Sequence, residues 1–138
     1  MRLFDHIDLR VPDRSVARSF YAKIGPVLGF PYVEDGSEWT CFCATSYREV
    51  GEYIAITEDR TCKTSNVCHA LWAPSRSDVD RIALALREAG VPAMEGPAMF
   101  YRGHYAVYFK DPFGNRFEVC YRENSHAFDP RIPEVQNS

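Results

Sequence analysis

Residues 108–118, Tyr108-Phe109-Lys110-Asp111-Pro112-Phe113-Gly114-Asn115-Arg116-Phe117-Glu118, decide the fold of this chain. Asp111-Pro112 and Gly114-Asn115 are turn chemistry set between two runs of alternating aromatic and polar residues, which is the signature of a hairpin. If Lys110 and Arg116 pair across the loop 111–115, the antiparallel register puts Tyr108 opposite Glu118, Ala106 opposite Cys120 and His104 opposite Arg122. Those six side chains then share one face, while Phe109, Phe117, Val119 and Tyr121 turn to the other. The hairpin therefore has an apolar back that needs a helix and a front that carries chemistry. A carboxylate such as Glu118 on a half-buried front is costly unless a cation or strong donors satisfy it.

Working outward, strands are predicted at His104 to Lys110 and Arg116 to Arg122, and earlier around Ala98 to Arg102. Before them come a strand over Val67 to Ala73 and a helix capped by Ser75 or Ser77, with Val79, Ile82, Ala83 and Leu86 as its buried stripe and Gly90 as its stop. The order is β-α-β-β-β. The first half repeats it. Leu3 to Val11 alternates as a strand, and Asp13 caps a helix with Val16, Phe20 and Ile24 as the expected stripe and Gly25-Pro26 as an early end or kink. Strand-like runs follow near Pro31 to Glu34, Glu38 to Thr45 and Gly51 to Thr57. Shifting one half onto the other by 63 residues (69 minus 6) lays His6 on His69 and Val16 on Val79. The expected class is α+β: one domain over 1–123, with module one about 1–60 and module two about 66–123, and a polar, Pro-containing tail over 124–138.

Composition narrows the function classes. With 138 residues and 46% hydrophobic content, the chain can bury a core without disulfides. Its five cysteines are odd in number and include no C-x-x-C, so they signal neither a disulfide framework nor a structural zinc knuckle. Cys41 and Cys43, two apart on a strand, read as small filler on one face. A net charge of −3 with both signs interspersed argues against nucleic acid or an anionic membrane as partner. No run is long enough to cross a bilayer and the start lacks the apolar core of a signal peptide, so a soluble, cytoplasmic protein is expected.

Two histidines at matching places on two strands and one carboxylate on a third, His6, His69 and Glu118, form a set that would leave coordination positions open on a metal. Each also has a plainer reading as an ordinary polar strand residue, and spacing alone does not choose between the two. Tyr108 is equally at home as a packing residue with a hydrogen-bonding tip.

The segments His6-Ile7-Asp8-Leu9-Arg10-Val11-Pro12-Asp13, Ser19-Phe20-Tyr21 and Asp111-Pro112-Phe113-Gly114-Asn115-Arg116-Phe117-Glu118 resemble the opening and closing signatures of the vicinal oxygen chelate superfamily. That superfamily includes glyoxalase I, extradiol dioxygenases, fosfomycin-resistance proteins, methylmalonyl-CoA epimerase and bleomycin-binding proteins. The resemblance implies two βαβββ modules whose mixed sheets curl around a metal cavity, usually within a homodimer. It also implies one divalent ion on His6, His69 and Glu118. Glyoxalase-like enzymes add a fourth ligand late in the first module, where this chain has Ala55; Glu52 and Glu58 are odd shifts away and face oppositely. Dioxygenase and fosfomycin-resistance branches place a tyrosine ten residues before the glutamate, which is Tyr108 here. The fosfomycin pattern departs at Asp8, where a threonine is usual, and Arg102 is the one obvious cation before the last strand.

The expectation is thus a metal-dependent enzyme on a small oxygen-chelating substrate, leaning to a dioxygenase-like reaction on a catechol-like ring. Fe(II) or Mn(II) is favoured, with Zn, Ni or Co as alternatives. His104 and Tyr108 are the candidate catalytic residues that move protons, and Trp39, Tyr53, Phe100 and Tyr101 are candidates to line a ring pocket. The alternatives are a glyoxalase- or fosfomycin-resistance-like lyase or transferase, and a binding protein that sequesters a drug or metabolite without chemistry.

Overall fold

The computed structural model describes residues 3–101 and 103–123; Arg102 and the expected tail over 124–138 lie outside them. Chain order is β1 (His6–Val11), α1 (Arg14–Leu28), β2 (Tyr32–Asp35), β3 (Trp39–Cys43), β4 (Tyr53–Glu58), β5 (Cys68–Trp72), α2 (Arg76–Glu88), β6 (Glu95–Tyr101), β7 (His104–Lys110) and β8 (Arg116–Arg122), with a short 3-10 turn at Arg48–Val50. Two four-stranded mixed sheets result, ordered β1-β4-β3-β2 and β5-β8-β7-β6. In each, the first and last strands of a module pair in parallel and the rest antiparallel. The expected pair of βαβββ modules is present, although the two sheets do not close on each other. No helix among the described residues is long and apolar enough to cross a membrane.

Both helices start and stop for the same local reasons. The Asp13 carboxylate accepts from the Val16 N–H and the Ser75 hydroxyl accepts from the Asp78 N–H, each satisfying an amide that the first turn leaves unpaired. At the other end Gly29 and Gly90 take the left-handed conformation, at φ 100° and 72°. The next residue then bonds back, Phe30 N–H to the Gly25 carbonyl and Val91 N–H to that of Leu86. The first helix therefore runs through Gly25-Pro26 to Leu28 instead of ending early. Its buried stripe is Ala17, Tyr21 and Ile24, one residue on from the expected Val16 and Phe20, and Val16 is 45% exposed. In α2 the stripe is Val79, Ile82, Ala83 and Leu86, as expected.

One core joins the modules: α1 and α2 touch and both cover the backs of the sheets. Its polar pin is buried. The Tyr21 hydroxyl donates to Asp111 Oδ2 at 2.8 Å, 90 residues away, and burial followed by the nearby Asp111 charge raises the Tyr21 phenol well above its ordinary range. Asp111 also accepts from the backbone N–H groups of Phe113 and Asn115 and from the Asn115 side chain. One carboxylate thus shapes the β7–β8 turn, in which Gly114 sits at φ 89°, and ties it to the other module.

Candidate metal centre

The β7–β8 register is the one the turn dictates: Tyr108 pairs with Glu118, Ala106 with Cys120 and His104 with Arg122. On its other side β8 runs parallel to β5, so Ala70 sits beside Glu118 and Cys68 beside Arg116. Two alanines, Ala70 and Ala106, put small side chains on the front of the sheet beside Glu118 and Cys120. His104 reaches along the sheet past Ala106 and brings Nε2 to 3.4 Å from Glu118 Oε1. Donor atoms of His104, Glu118 and Cys120 all lie within 4.8 Å of one another. His104 is 3% exposed and its Nδ1, buried, has no hydrogen-bond partner.

Burial shifts His104, Cys120 and the neighbouring Tyr108. Burial lowers the His104 imidazole, outweighing the opposing pull of Glu118, so a neutral ring with a free lone pair is favoured. The Tyr108 phenol is pushed up by burial first, then by hydrogen bonding to and charge repulsion from Glu118. It remains a proton donor. The Cys120 thiol is pushed up to about 11, chiefly by burial and then by the Glu118 charge. Phe100 meets Tyr108 edge-on at 4.8 Å, and Tyr101 lies 5.7 Å from His104. Both aromatics therefore line this front.

His69 is not brought to the cluster. It pairs with Phe117, whose side chain is fully buried on the helix side, and strand alternation turns the imidazole to that same back face. There it lies 5.1 Å from the Phe117 ring with Nδ1 2.9 Å from the Arg116 carbonyl. The match between the halves is corrected accordingly. Shifting by 62 residues (68 minus 6, 75 minus 13) lays the caps Asp13 and Ser75 on each other, and the buried Val11 on Ala73 and Ala17 on Val79. His6 then matches Cys68.

His6 is on the front of the first sheet, stacked on Tyr53 at 4.5 Å, with Nδ1 2.7 Å from Asp5. Its sheet carries Cys41, Cys43 and Ala55 as a small buried front cluster beside Trp39 and Tyr53, in line with the filler reading of the two cysteines. Since β4 starts at Tyr53 beside His6 and β8 at Arg116 beside Cys68, Ala55 matches Glu118. Of these four related positions, His6, Cys68 and Glu118 bear donors and Ala55 bears none. A cleft of about 450 Å³ runs between β1 and β5, lined by Phe4, His6, Phe30, Tyr53, Cys68 and Ala70.

Sequence reading gave no role to Cys68 or Cys120, whose thiols the structure places on the front of the second sheet. The signal for Cys120 was available, since the hairpin register already put it next to Glu118 on the front; that for Cys68 lay in the helix caps, which fix the shift at 62. Asp111 was read as a turn residue alone, and nothing local in the sequence points to Tyr21.

Two βαβββ modules packed through their helices, each with imidazole, carboxylate or thiol groups on the front of its sheet, define the class of paired-module proteins of this fold. The chain belongs to the Glyoxalase/Bleomycin resistance protein/Dioxygenase superfamily, whose family model matches residues 3–119. Among solved structures it is similar to a glyoxalase/bleomycin resistance protein from Albidiferax ferrireducens, at 23% identity over 88% of this chain and 99% of that one, TM-score 0.70. A fosfomycin resistance protein from Mesorhizobium loti matches at 18% identity over 91% and 97%, TM-score 0.64. A glyoxalase/dioxygenase from Nostoc punctiforme matches at 20% identity over 89% and 92%, TM-score 0.62. No curated protein matches the chain.

Proposed function

We propose that this chain is a metal-dependent enzyme that holds one divalent ion at Glu118, on the front of the second sheet, and acts on a small substrate offering paired oxygens. The convergence of Glu118 and His104 carries the reading. A finished charge-assisted hydrogen bond is about 2.7–2.9 Å long, whereas these groups stand 3.4 Å apart. An imidazole and a carboxylate bound tetrahedrally to one ion at about 2.0–2.2 Å are separated by about 3.3–3.5 Å. The pair, a buried imidazole and a half-buried carboxylate, therefore fits as ligands to an ion better than as partners of each other.

Glu118 and His104 would hold the ion from the second sheet, and His6 faces the cleft from the first. A bound ion supplies Lewis-acid or redox chemistry to the chelated oxygens of a substrate. The chain's own groups do the rest. Phe4, Phe30 and Tyr53 exclude water from the apolar part of a ligand in the cleft. Tyr108, kept protonated, donates a hydrogen bond to a substrate oxygen or to Glu118. A Lewis-acid reaction of the lyase, isomerase or transferase kind ranks first, because the donors nearest Glu118 include sulfur as well as nitrogen. The second reading, a dioxygenase acting on a catechol-like ring, is favoured by Tyr108 facing Glu118 and by the aromatic front of Phe100 and Tyr101.

A homodimer in the cytoplasm belongs to the same proposal. Trp72, Met99 and Tyr101 are exposed apolar side chains for a second copy to cover, and five free cysteines suit a reducing compartment.

The test is metal analysis of protein purified without chelator, followed by turnover assays. Near one equivalent of metal, with anaerobic turnover of a ketoaldehyde hemithioacetal or an epoxide, supports the first reading; oxygen uptake with catechols supports the second. Protein without metal that still binds small aromatic ligands tightly would replace both with a sequestering role. His69→Ala is expected to keep its metal, because that imidazole faces the helices; loss of the metal in this variant, with the fold intact by circular dichroism, would return His69 to the ligand set. Tyr108→Phe is expected to retain metal and slow turnover about 100-fold, within the span of a lost proton donor. Undiminished kcat would leave Tyr108 a packing residue.

A further inference from the structure

We propose that Cys120 binds the ion as a thiolate, which makes this a mixed nitrogen, oxygen and sulfur site of the kind zinc and cobalt(II) fill. The inference rests on the reading of Glu118 as a metal ligand and adds the identity of the donor that selects the metal.

Three observations point to sulfur. The first is position: Cys120 shares the front of β8 with Glu118, two residues along the same strand, and is buried opposite the small side chain of Ala106. The second is convergence, because the Cys120 sulfur is one of three donor atoms, of three different elements, lying within 4.8 Å of one another. In a tetrahedral site with a metal–sulfur bond of about 2.3 Å and metal–nitrogen and metal–oxygen bonds of about 2.0–2.2 Å, the edges from sulfur are about 3.5–3.7 Å. Drawing the cluster to those edges takes side-chain movements of roughly 1 Å, within the reach of rotamer adjustment on a fixed sheet. The third is the state of His104. It is buried with Nδ1 unpartnered, and its Nε2 stands 3.4 Å from Glu118 Oε1, longer than a charge-assisted hydrogen bond usually is. A buried polar group left so costs about 1–3 kcal/mol unless something else engages the ring.

A filler role for Cys120 accounts for its burial alone. It does not account for an imidazole and a carboxylate gathered around the same sulfur. Cys68 is a second thiol on the same face, two residue pairs from Glu118 along β5, but it is exposed. On binding, the Cys120 thiol proton passes to solvent and the sulfur lone pair forms the metal bond, with no change of oxidation state.

Cobalt(II) reads the donor directly, because thiolate ligation gives an intense near-ultraviolet charge-transfer absorption that nitrogen and oxygen donors do not. Titration of the metal-stripped protein is expected to give this band at one equivalent of cobalt. The band should vanish in Cys120→Ser, with affinity weaker by at least tenfold, and persist in Cys68→Ser. The wild-type spectrum decides the main point even if a variant folds poorly, and Cys120→Ala provides a second variant. Cobalt bound in a Glu118-dependent way without the band, or a band that survives loss of Cys120, would overturn the thiolate and leave the metal site standing. Cobalt that fails to bind, or binds equally to Glu118→Gln, would remove the metal site and the thiolate with it.

Discussion

Glu118→Gln is expected to abolish stoichiometric metal binding and to lower kcat/KM by at least about 1,000-fold, with the apo fold intact. The substitution keeps shape and removes the one charge on the front of the second sheet that lies between His104, Tyr108 and Cys120. An amide oxygen is a weak ligand to a divalent ion, and the loss of metal-borne stabilisation of a developing oxyanion is worth several kcal/mol. Stability separates this outcome from misfolding. Metal at a hundredfold excess over its Kd adds about 2.7 kcal/mol to a site present only in the folded state, a rise in Tm of roughly 10 °C for a domain of this size. The wild-type protein should show that rise. Glu118→Gln should melt at the wild-type apo temperature with or without metal, and a metal-induced rise of similar size in the variant would mean that Glu118 is not a ligand.

Asp111→Ala is expected to be the most destabilising single change on the second module's turn, costing about 4 kcal/mol. The buried carboxylate accepts from two backbone N–H groups, one side-chain amide and the Tyr21 hydroxyl. Alanine leaves those donors without their acceptor in a place water reaches poorly, and hydrogen bonds to a charged acceptor contribute about 1.5–3 kcal/mol each without full additivity. Tyr21→Phe removes one of the four and should cost about 1–2 kcal/mol. Denaturant melts with an unchanged m-value would record both, and equal losses in the two variants would place the turn's own bonds outside the energetics of the fold.

How much of this was legible in the sequence depends on how many interpretations each segment allowed. The β7–β8 hairpin had one, because a five-residue turn with polar flanks fixes the register and every pair followed from it. The α2 stripe also had one, with charged residues on the remaining faces. Helix α1 had two, since Val16-Phe20-Ile24 and Ala17-Tyr21-Ile24 are both apolar rows. The choice is made by tertiary structure, where the Tyr21 hydroxyl finds Asp111.

Strand β5 failed in the same way and with more consequence. Cys68, Ala70 and Trp72 on one face and His69 and Leu71 on the other give no polar and apolar contrast, so alternation cannot say which side a histidine takes. Laying His6 on His69 gives a shift of 63, whereas the two helix caps set it at 62 and exchange His69 for Cys68. Between the last strands of the modules the shift is 63, one residue more (116 minus 53), so no single number superposes the halves. His104 was legible as a front residue near the site. Its approach to Glu118 was not, because it depends on Ala106 being small enough to reach past.

The claim that an ion sits at Glu118 is tested most directly by anomalous diffraction from crystals grown with zinc or cobalt(II), measured on both sides of the metal's absorption edge. One strong peak is predicted within bonding distance of a Glu118 carboxylate oxygen and His104 Nε2, with His69 still turned toward Phe117. A peak on His69, or density for metal-loaded protein with no peak at Glu118, would contradict it.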